Sequence, residues 1–259
     1  GDNSLMIALA HNKGGVIIMR MIDRLDPADI NKQNTFANTA LHLAVQYGYA
    51  EAIEKLIAGG ANVNQAANDG FTPLHLAAQY GHAGAIEELI TVEGVEVGQV
   101  DDNGNAPLHL AARYGHIEAI RKLIEGRADV NQENYVDQVK DKGGNAPLHL
   151  AALNGHIEAI ERLIEGKAEV NQENYRGNAP LHAAAQKGHI EAIKRLIERG
   201  AKVNQENLKR NTPLHAAAQK GRTGAIEELI AAGAEVNQRN IKGLTALHVA
   251  AQSGHTEVI

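Results

Sequence analysis

The chain has 259 residues, a formal net charge of −6 at pH 7, 3% aromatic residues and no cysteine. The missing cysteine excludes disulfides, thiolate zinc sites and cysteine nucleophiles together, and fits a reducing compartment. The acidic balance argues against nucleic acid as the main partner. No apolar run approaches the ~20 residues of a membrane helix, and the N-terminus lacks the layout of a signal peptide.

Taken in chain order, one pattern recurs from end to end. Residues 7–14 (Ile-Ala-Leu-Ala-His-Asn-Lys-Gly) give a degenerate first copy. A Leu-His pair then appears at Leu41-His42, Leu74-His75, Leu108-His109, Leu148-His149, Leu181-His182, Leu214-His215 and Leu247-His248, with spacings of 33, 34, 40, 33, 33 and 33. The units are delimited at about 1–33, 34–66, 67–100, 101–140, 141–173, 174–206, 207–239 and 240–259. The fourth is longer by a segment at about 134–140, Asn-Tyr-Val-Asp-Gln-Val-Lys.

The seventh unit shows what one copy predicts. Pro213 suits the first turn of a helix, where its missing N–H costs nothing. Leu214, Ala217 and Ala218 fall on one helix face, and Gly221 ends that helix. A second helix carries Ile226, Leu229 and Ile230 as its buried stripe and stops at Gly233. Val236-Asn237 leads into a polar turn ending near Gly243. Two helices and a turn cannot bury their own apolar faces, so neighbouring copies must stack. With no Trp and only two Phe, the stack is filled by Leu, Ile and Ala.

The Thr-Pro-Leu-His, Ala-Ala-x-x-Gly-His and Gly-Ala-x-Val-Asn segments resemble ankyrin repeats over nearly the whole chain. The resemblance implies an all-α repeat solenoid of about eight units, with helix pairs and projecting β-hairpin-like fingers that form a concave groove with the first helices. Single positions depart from the family pattern: Ala40 and Ala246 where Pro is expected, Ala106, Ala146 and Ala179 where Thr is expected, and Arg210 in place of a turn glycine.

Both ends carry expectations. The first unit places Val16, Ile17, Ile18, Met19, Met21 and Ile22 on its second helix, and Ile17 and Met21 stand where the next unit has Glu51 and Lys55. Either this face is a tightly packed cap, or a preceding segment, another domain or a second copy covers it. The last unit stops inside its second helix at Ile259, which predicts further chain.

Thirteen histidines invite a metal or catalytic reading. Seven belong to the Leu-His pairs, and His82, His116, His156, His189 and His255 follow the inter-helix glycine. Only His11 lies outside both series. Recurrence at the structural period favours architecture over a metal site. By resemblance, the first series hydrogen-bonds backbone in its own and adjacent turns. Serine occurs only at Ser4 and Ser253, and no phosphate-binding loop is present. Lys13-Gly14-Gly15 falls on the expected inter-helix turn. Glu87-Glu88 and Glu227-Glu228 read as a solvated helix face. No enzyme activity, cofactor or metal is expected within this segment.

The resemblance places partner contacts at the finger tips and at the residues preceding Gly-His. Tyr47, Tyr80 and Tyr114 share one such position and predict a ladder on the groove side. Phe36, Phe71 and Tyr175 map to fingers, Tyr135 to the inserted segment, and Tyr49 to a His position. Tyrosine is enriched at binding hot spots, which favours a contact role for the ladder over the alternative that repeats were copied with a tolerated residue. Later units replace the tyrosine by Asn154, Lys187, Lys220 and Ser253. Fingers change in the same direction, from Asn68, Asp69, Asp102 and Asn103 to Tyr175, Arg176, Leu208, Lys209, Arg210, Ile241 and Lys242. A partner with an apolar and an acidic segment would complement that layout. Asn131 stands eight residues after Leu123 and behind Asp129-Val130, which resembles the context in which ankyrin asparagines are hydroxylated; the Val-Asn pair also has a plain structural role.

The sequence thus predicts a protein-binding scaffold or adaptor, intracellular and without a membrane span. The alternative is a binding arm of a larger protein, such as a bacterial effector acting in a host cytosol, with its activity outside this segment.

Overall fold

The computed structural model describes residues 4–10, 15–135 and 143–258. Fifteen α-helices lie among them, seven pairs and a last first helix, with no strand. The first helices of the pairs are α1 (Ser4–Ala10), α3 (Ala40–Gln46), α5 (Pro73–Tyr80), α7 (Pro107–Tyr114), α9 (Pro147–Asn154), α11 (Pro180–Lys187), α13 (Pro213–Gln219) and α15 (Ala246–Gln252). The second helices are α2 (Gly15–Ile22), α4 (Ala50–Ala58), α6 (Ala83–Ile90), α8 (Ile117–Glu125), α10 (Ile157–Glu165), α12 (Ile190–Glu198) and α14 (Thr223–Ala231). A 3₁₀ turn over Thr256–Val258 follows α15.

The chain divides into two compact units, Gly1–Ala111 with Glu118–Asp129, and Ala112–Ile117 with Val130–Ile259. In the first, α1 packs on α3 and α3 on α5, while α2, α4 and α6 form a second row. In the second, α9, α11, α13 and α15 stack in order, and α10, α12 and α14 stack beside them. Each core follows from the repeat. Leu41, Leu74, Ile53, Ile86 and Leu89 are at most 1% exposed in the first unit, as are Leu148, Leu181, Ile160, Ile193 and Leu229 in the second. The alanines of the first helices, such as Ala77-Ala78 and Ala184-Ala185, are fully buried. A methyl side chain there lets neighbouring first helices approach, while Leu and Ile fill the space toward the second row.

One residue departs from the expected stripe. Leu229 is buried and Ile226 half-buried, but Ile230 is 47% exposed. In earlier repeats the matching isoleucine is covered by the next copy: a Cβ on Gly126 would lie 3.1 Å from Ile90. Opposite Ile230 no second helix of the eighth repeat is present among the described residues. On α2, Ile18 and Ile22 are buried, Met19 and Met21 half-buried, and Ile17 is 55% exposed. His11, Lys13, Gly14, Ile259 and residues 136–142 of the inserted segment lie outside the described residues.

The fingers are tight turns rather than strand pairs. In the sixth repeat the Asn174 N–H donates to the Asn178 carbonyl (3.0 Å), while Asn174 Oδ1 accepts from the N–H groups of Arg176 and Asn178 (both 3.0 Å). Asn207 and Asn240 repeat the arrangement in the next two turns. An asparagine at the start of a turn caps its own backbone in this way. Gly177 holds φ 72°, and a Cβ there would meet the Leu208 nitrogen at 2.7 Å, so the turn needs glycine for both reasons. Arg210 takes the equivalent position at φ 56° and is tied to Glu206 by its Nε (3.0 Å). In the fourth repeat the same base closes across a longer span: the Asn134 N–H donates to the Asn145 carbonyl (3.0 Å) and the Asn145 N–H to Asn134 Oδ1 (2.8 Å). The extra residues therefore lie between these two asparagines.

Candidate functional site

The histidines are bound into the architecture. In the first series Nδ1 accepts a backbone N–H from three residues earlier, as His182 does from Ala179 (3.1 Å) and His42 from Thr39 (3.1 Å). An accepting Nδ1 carries no proton, so Nε2 is the N–H and donates onward. It reaches a carbonyl in the next finger: His42 to Phe71 (3.0 Å), His75 to Asn105 (3.0 Å), His149 to Asn178 (2.8 Å), His182 to Asn211 (3.1 Å) and His215 to Leu244 (3.1 Å). Burial pushes His42, His149 and His182 down to about 4, and lowers His75 and His215. These rings are neutral, fully engaged and at most 2% exposed.

The second series points the other way along the chain. His82 Nε2 bonds the Gln46 carbonyl (3.2 Å), and in the second unit His156, His189 and His255 bond Arg113, Leu153 and Gln219. Each ring sits against the glycine of the preceding copy; a Cβ on Gly155 would lie 2.8 Å from the His189 ring. Arg222 stands in for histidine and sends Nε to the Gln186 carbonyl (3.4 Å). Among the described residues no group of three or more His, Asp or Glu side chains could hold a metal ion, and no helix is long and apolar enough to cross a membrane.

The expected contact residues fall into two sets. The first unit holds Phe36 (69% exposed), exposed Asp69 and Asp102, and Tyr47 and Tyr80 (each 44%) at the ends of α3 and α5. Asp69 Oδ1 accepts from the Phe71 N–H (3.1 Å), and the Asp102 N–H donates to the Asp69 carbonyl (3.1 Å), which joins these turns. Phe71 is half-buried and stacks on His75 at 5.4 Å, so much of its ring serves the finger base. Each tyrosine also has a local partner, Tyr47 on Tyr49 at 6.0 Å and Tyr80 on His82 at 6.1 Å. Tyr114 lies on the second unit's side of the division and stacks on His116. This spacing of two residues across the inter-helix glycine was not read from the sequence. It accounts for Tyr49, which takes the place of the histidine under its ring.

The second unit gathers the rest. Tyr175, Leu208 and Ile241 are 37%, 69% and 66% exposed in successive turns, each followed by a cation: Arg176, Lys209 and Lys242. Backbone bonds join the turns, from the Leu208 N–H to the Arg176 carbonyl (3.1 Å) and from the Ile241 N–H to the Lys209 carbonyl (3.0 Å). Asparagine side chains run beneath them, with Asn174 Nδ2 on Asn145 (2.8 Å), Asn207 on Asn178 (2.7 Å) and Asn240 on Asn211 (2.9 Å). Tyr135 (50% exposed) meets Tyr175 edge-on at 6.0 Å. Lys187 and Lys220 are exposed at the ends of α11 and α13. Asn131 is half-buried: its Oδ1 accepts from the Glu169 N–H (2.8 Å) and its Nδ2 donates to the Lys167 carbonyl (3.4 Å), the plain structural role for a Val-Asn pair.

This architecture is that of a helix-turn-helix repeat protein whose neighbours are joined by buried histidines. The family model described as "Ankyrin repeats (3 copies)" matches residues 5–101, 65–134, 82–174, 133–207 and 181–259. The chain belongs to the ankyrin-repeat family. Among solved structures, the human ASB11 ankyrin repeat domain is similar with a TM-score of 0.73 and 30% identity, over 82% of this chain and 92% of that one. No curated protein matches the sequence. Ankyrin repeats are generally protein–protein interaction modules and typically non-enzymatic.

Proposed function

We propose that this chain is a scaffold or adaptor module that binds a partner protein through its finger turns and the ends of its first helices. One observation carries the reading. Tyr175, Leu208 and Ile241 form an exposed apolar series on successive hydrogen-bonded turns, and Arg176, Lys209 and Lys242 beside them have no hydrogen-bond or ion-pair partner for their side chains among the described residues. Solvated apolar side chains held on ordered turns cost little entropy when a partner covers them. The adjacent cations favour a partner with an acidic segment. Phe36, Asp69, Asp102, Tyr47 and Tyr80 offer the first unit a different, aromatic and acidic surface. Tyr114 and Tyr135 extend the aromatic set in the second.

The test is affinity capture with mass spectrometry, wild type against Leu208→Ser/Ile241→Ser, Lys209→Glu/Lys242→Glu and Tyr47→Ala/Tyr80→Ala, with circular dichroism to verify folding. Loss of the same partner from the first two variants supports the reading. Retention of every partner by all three folded variants overturns it.

A further inference from the structure

Three exchanges against the chain's own repeat converge on one place. The residue after each Leu-His pair is leucine in Leu43, Leu76, Leu110 and Leu150 and valine in Val249, but alanine in Ala183 and Ala216. Three of those leucines, Leu43, Leu110 and Leu150, are at most 7% exposed. Each alanine lacks the isopropyl group that leucine would place there, and both are half-buried, not sealed. The third exchange is Leu153, which replaces the glutamine of Gln46, Gln79, Gln186 and Gln219. Leu153, Ala183 and Ala216 together line a recess of about 240 Å³ on the second unit, between the first helices and the fingers.

The other walls are mostly polar, and three of their side chains offer donors. Arg176 and Gln186 line the recess, and neither side chain has a partner among the described residues. Asn178 also lines it; its Oδ1 is taken by Asn207, and its Nδ2 has no acceptor among the described residues. His149 and His182 at the back have both ring nitrogens engaged and add no acceptor. Among the described residues no carboxylate pairs with Arg176; Glu133 accepts from Gln172 (3.3 Å) and Glu173 from Gln205 (2.9 Å). The volume falls below the roughly 300 Å³ at which pockets begin to enclose a drug-sized ligand, and it opens to solvent beside the exposed finger series. Its floor is apolar and its rim offers donors with positive charge.

We propose that this recess is the specificity socket of the second unit, and that it takes one bulky apolar side chain of a partner segment over Ala183 and Ala216 while an adjacent Asp or Glu of the same segment pairs with Arg176. This rests on the reading of the chain as a protein-binding module and names the chemistry that the module selects. Arg176 meets a carboxylate through a planar pair of donors, and Gln186 and Asn178 meet the carbonyls of an extended peptide. The earlier repeats carry leucine at the socket position and the eighth carries Val249, so the selection is confined to the sixth and seventh copies.

The test is selection of a displayed random peptide library on the whole chain, followed by fluorescence polarisation with the enriched peptides. Enriched peptides are expected to carry Leu, Met, Phe or Tyr within a few residues of Asp or Glu. Ala183→Leu/Ala216→Leu restores the side chains of the earlier repeats and should weaken binding at least about tenfold, as excluding a pocket anchor does. Ala183→Leu alone provides a milder filling should the pair fail to fold. Arg176→Glu should weaken binding similarly and abolish the preference for acidic peptides. Equal binding by the filled, folded variants together with loss in Leu208→Ser/Lys209→Glu overturns the socket and leaves the binding-module reading intact. Enriched peptides without an acidic residue overturn the pairing with Arg176. No enrichment, or binding indifferent to every variant, overturns both readings.

Discussion

The two compact units share a skeleton and differ in what they show to solvent. The first carries 8 Lys and Arg against 16 Asp and Glu, the second 17 against 15. Helix cores, histidine bonds and turn closures match from one to the other: His42 and His182 make the same two bonds, and Ile86 and Ile193 are equally buried. The divergence falls mainly on turn tips and the ends of the first helices, where Asp69 and Tyr80 give way to Lys209 and Lys220, and on the position after Leu-His, where Leu43 and Leu76 give way to Ala183 and Ala216. Burial fixes one set of positions and leaves the other free, so one fold presents an acidic aromatic surface and a cationic apolar one. Neither surface can be inferred from the other.

The largest expected effect tests whether the units respond alike to acid. A histidine at about 4 in the folded state and at its ordinary 6.5 when unfolded binds its proton only in the unfolded chain between those values. Stability is therefore complete above pH 6.5 and falls as the pH drops toward 4, by up to ~1.4 kcal/mol per pH unit for each such group. His42 belongs to the first unit and His149 and His182 to the second, so urea unfolding followed by hydrogen exchange should show both units weakening over this window. Protection lost from one unit alone would break the comparison.

Core truncation comes next. Ile86→Ala and Ile193→Ala should each cost about 2–5 kcal/mol in urea unfolding, and a clear inequality would mean that the units pack differently. Smaller is the effect of the helix-start residue. Thr72 and Thr212 place Oγ1 at 2.8 and 2.9 Å from the histidine Nδ1, where Ala146 and Ala179 have no hydroxyl. Ala146→Thr and Ala179→Thr should raise stability by about 0.5–1.5 kcal/mol each, and Thr72→Ala should lower it by a similar amount. The smallest shift is expected from Arg210→Gly. Glycine relieves about 1 kcal/mol of left-handed strain, offset by its greater unfolded-state freedom and by loss of the exposed pair with Glu206. A gain of under about 1 kcal/mol in thermal unfolding would fit; a net loss would show that the Glu206 pair outweighs the strain.

Much of the fold was legible because its signals are periodic. Leu-His pairs, alanine pairs and inter-helix glycines mark the helices directly, and histidines at the repeat spacing announce themselves as architecture. The second histidine series gave less away, since its carbonyl partners lie one repeat back and spacing alone does not reveal direction. Ile230 was misjudged because periodicity assigns a stripe without asking whether a neighbour covers it. The tyrosine stacking was hidden by the turn between the rings. The recess was the least legible feature. Ala183, Ala216 and Leu153 are visible as exchanges, but only the fold shows that the positions face a common space beneath Arg176.

Two series of bonds between neighbouring copies end on main-chain atoms: the histidine Nε2 groups on carbonyls, and the Asn131, Asn171 and Asn204 side chains on the N–H groups of Glu169, Lys202 and Glu235. A main-chain acceptor is the same whatever side chain it carries. At these two series of joints one copy can therefore be duplicated, deleted or exchanged without compensating change in the copy beside it, and the side chains of its exterior can drift without breaking them. Such a joint gives the gene a route to new recognition by unequal crossing-over, with the hydrogen bonds already in place on the day a new copy arrives.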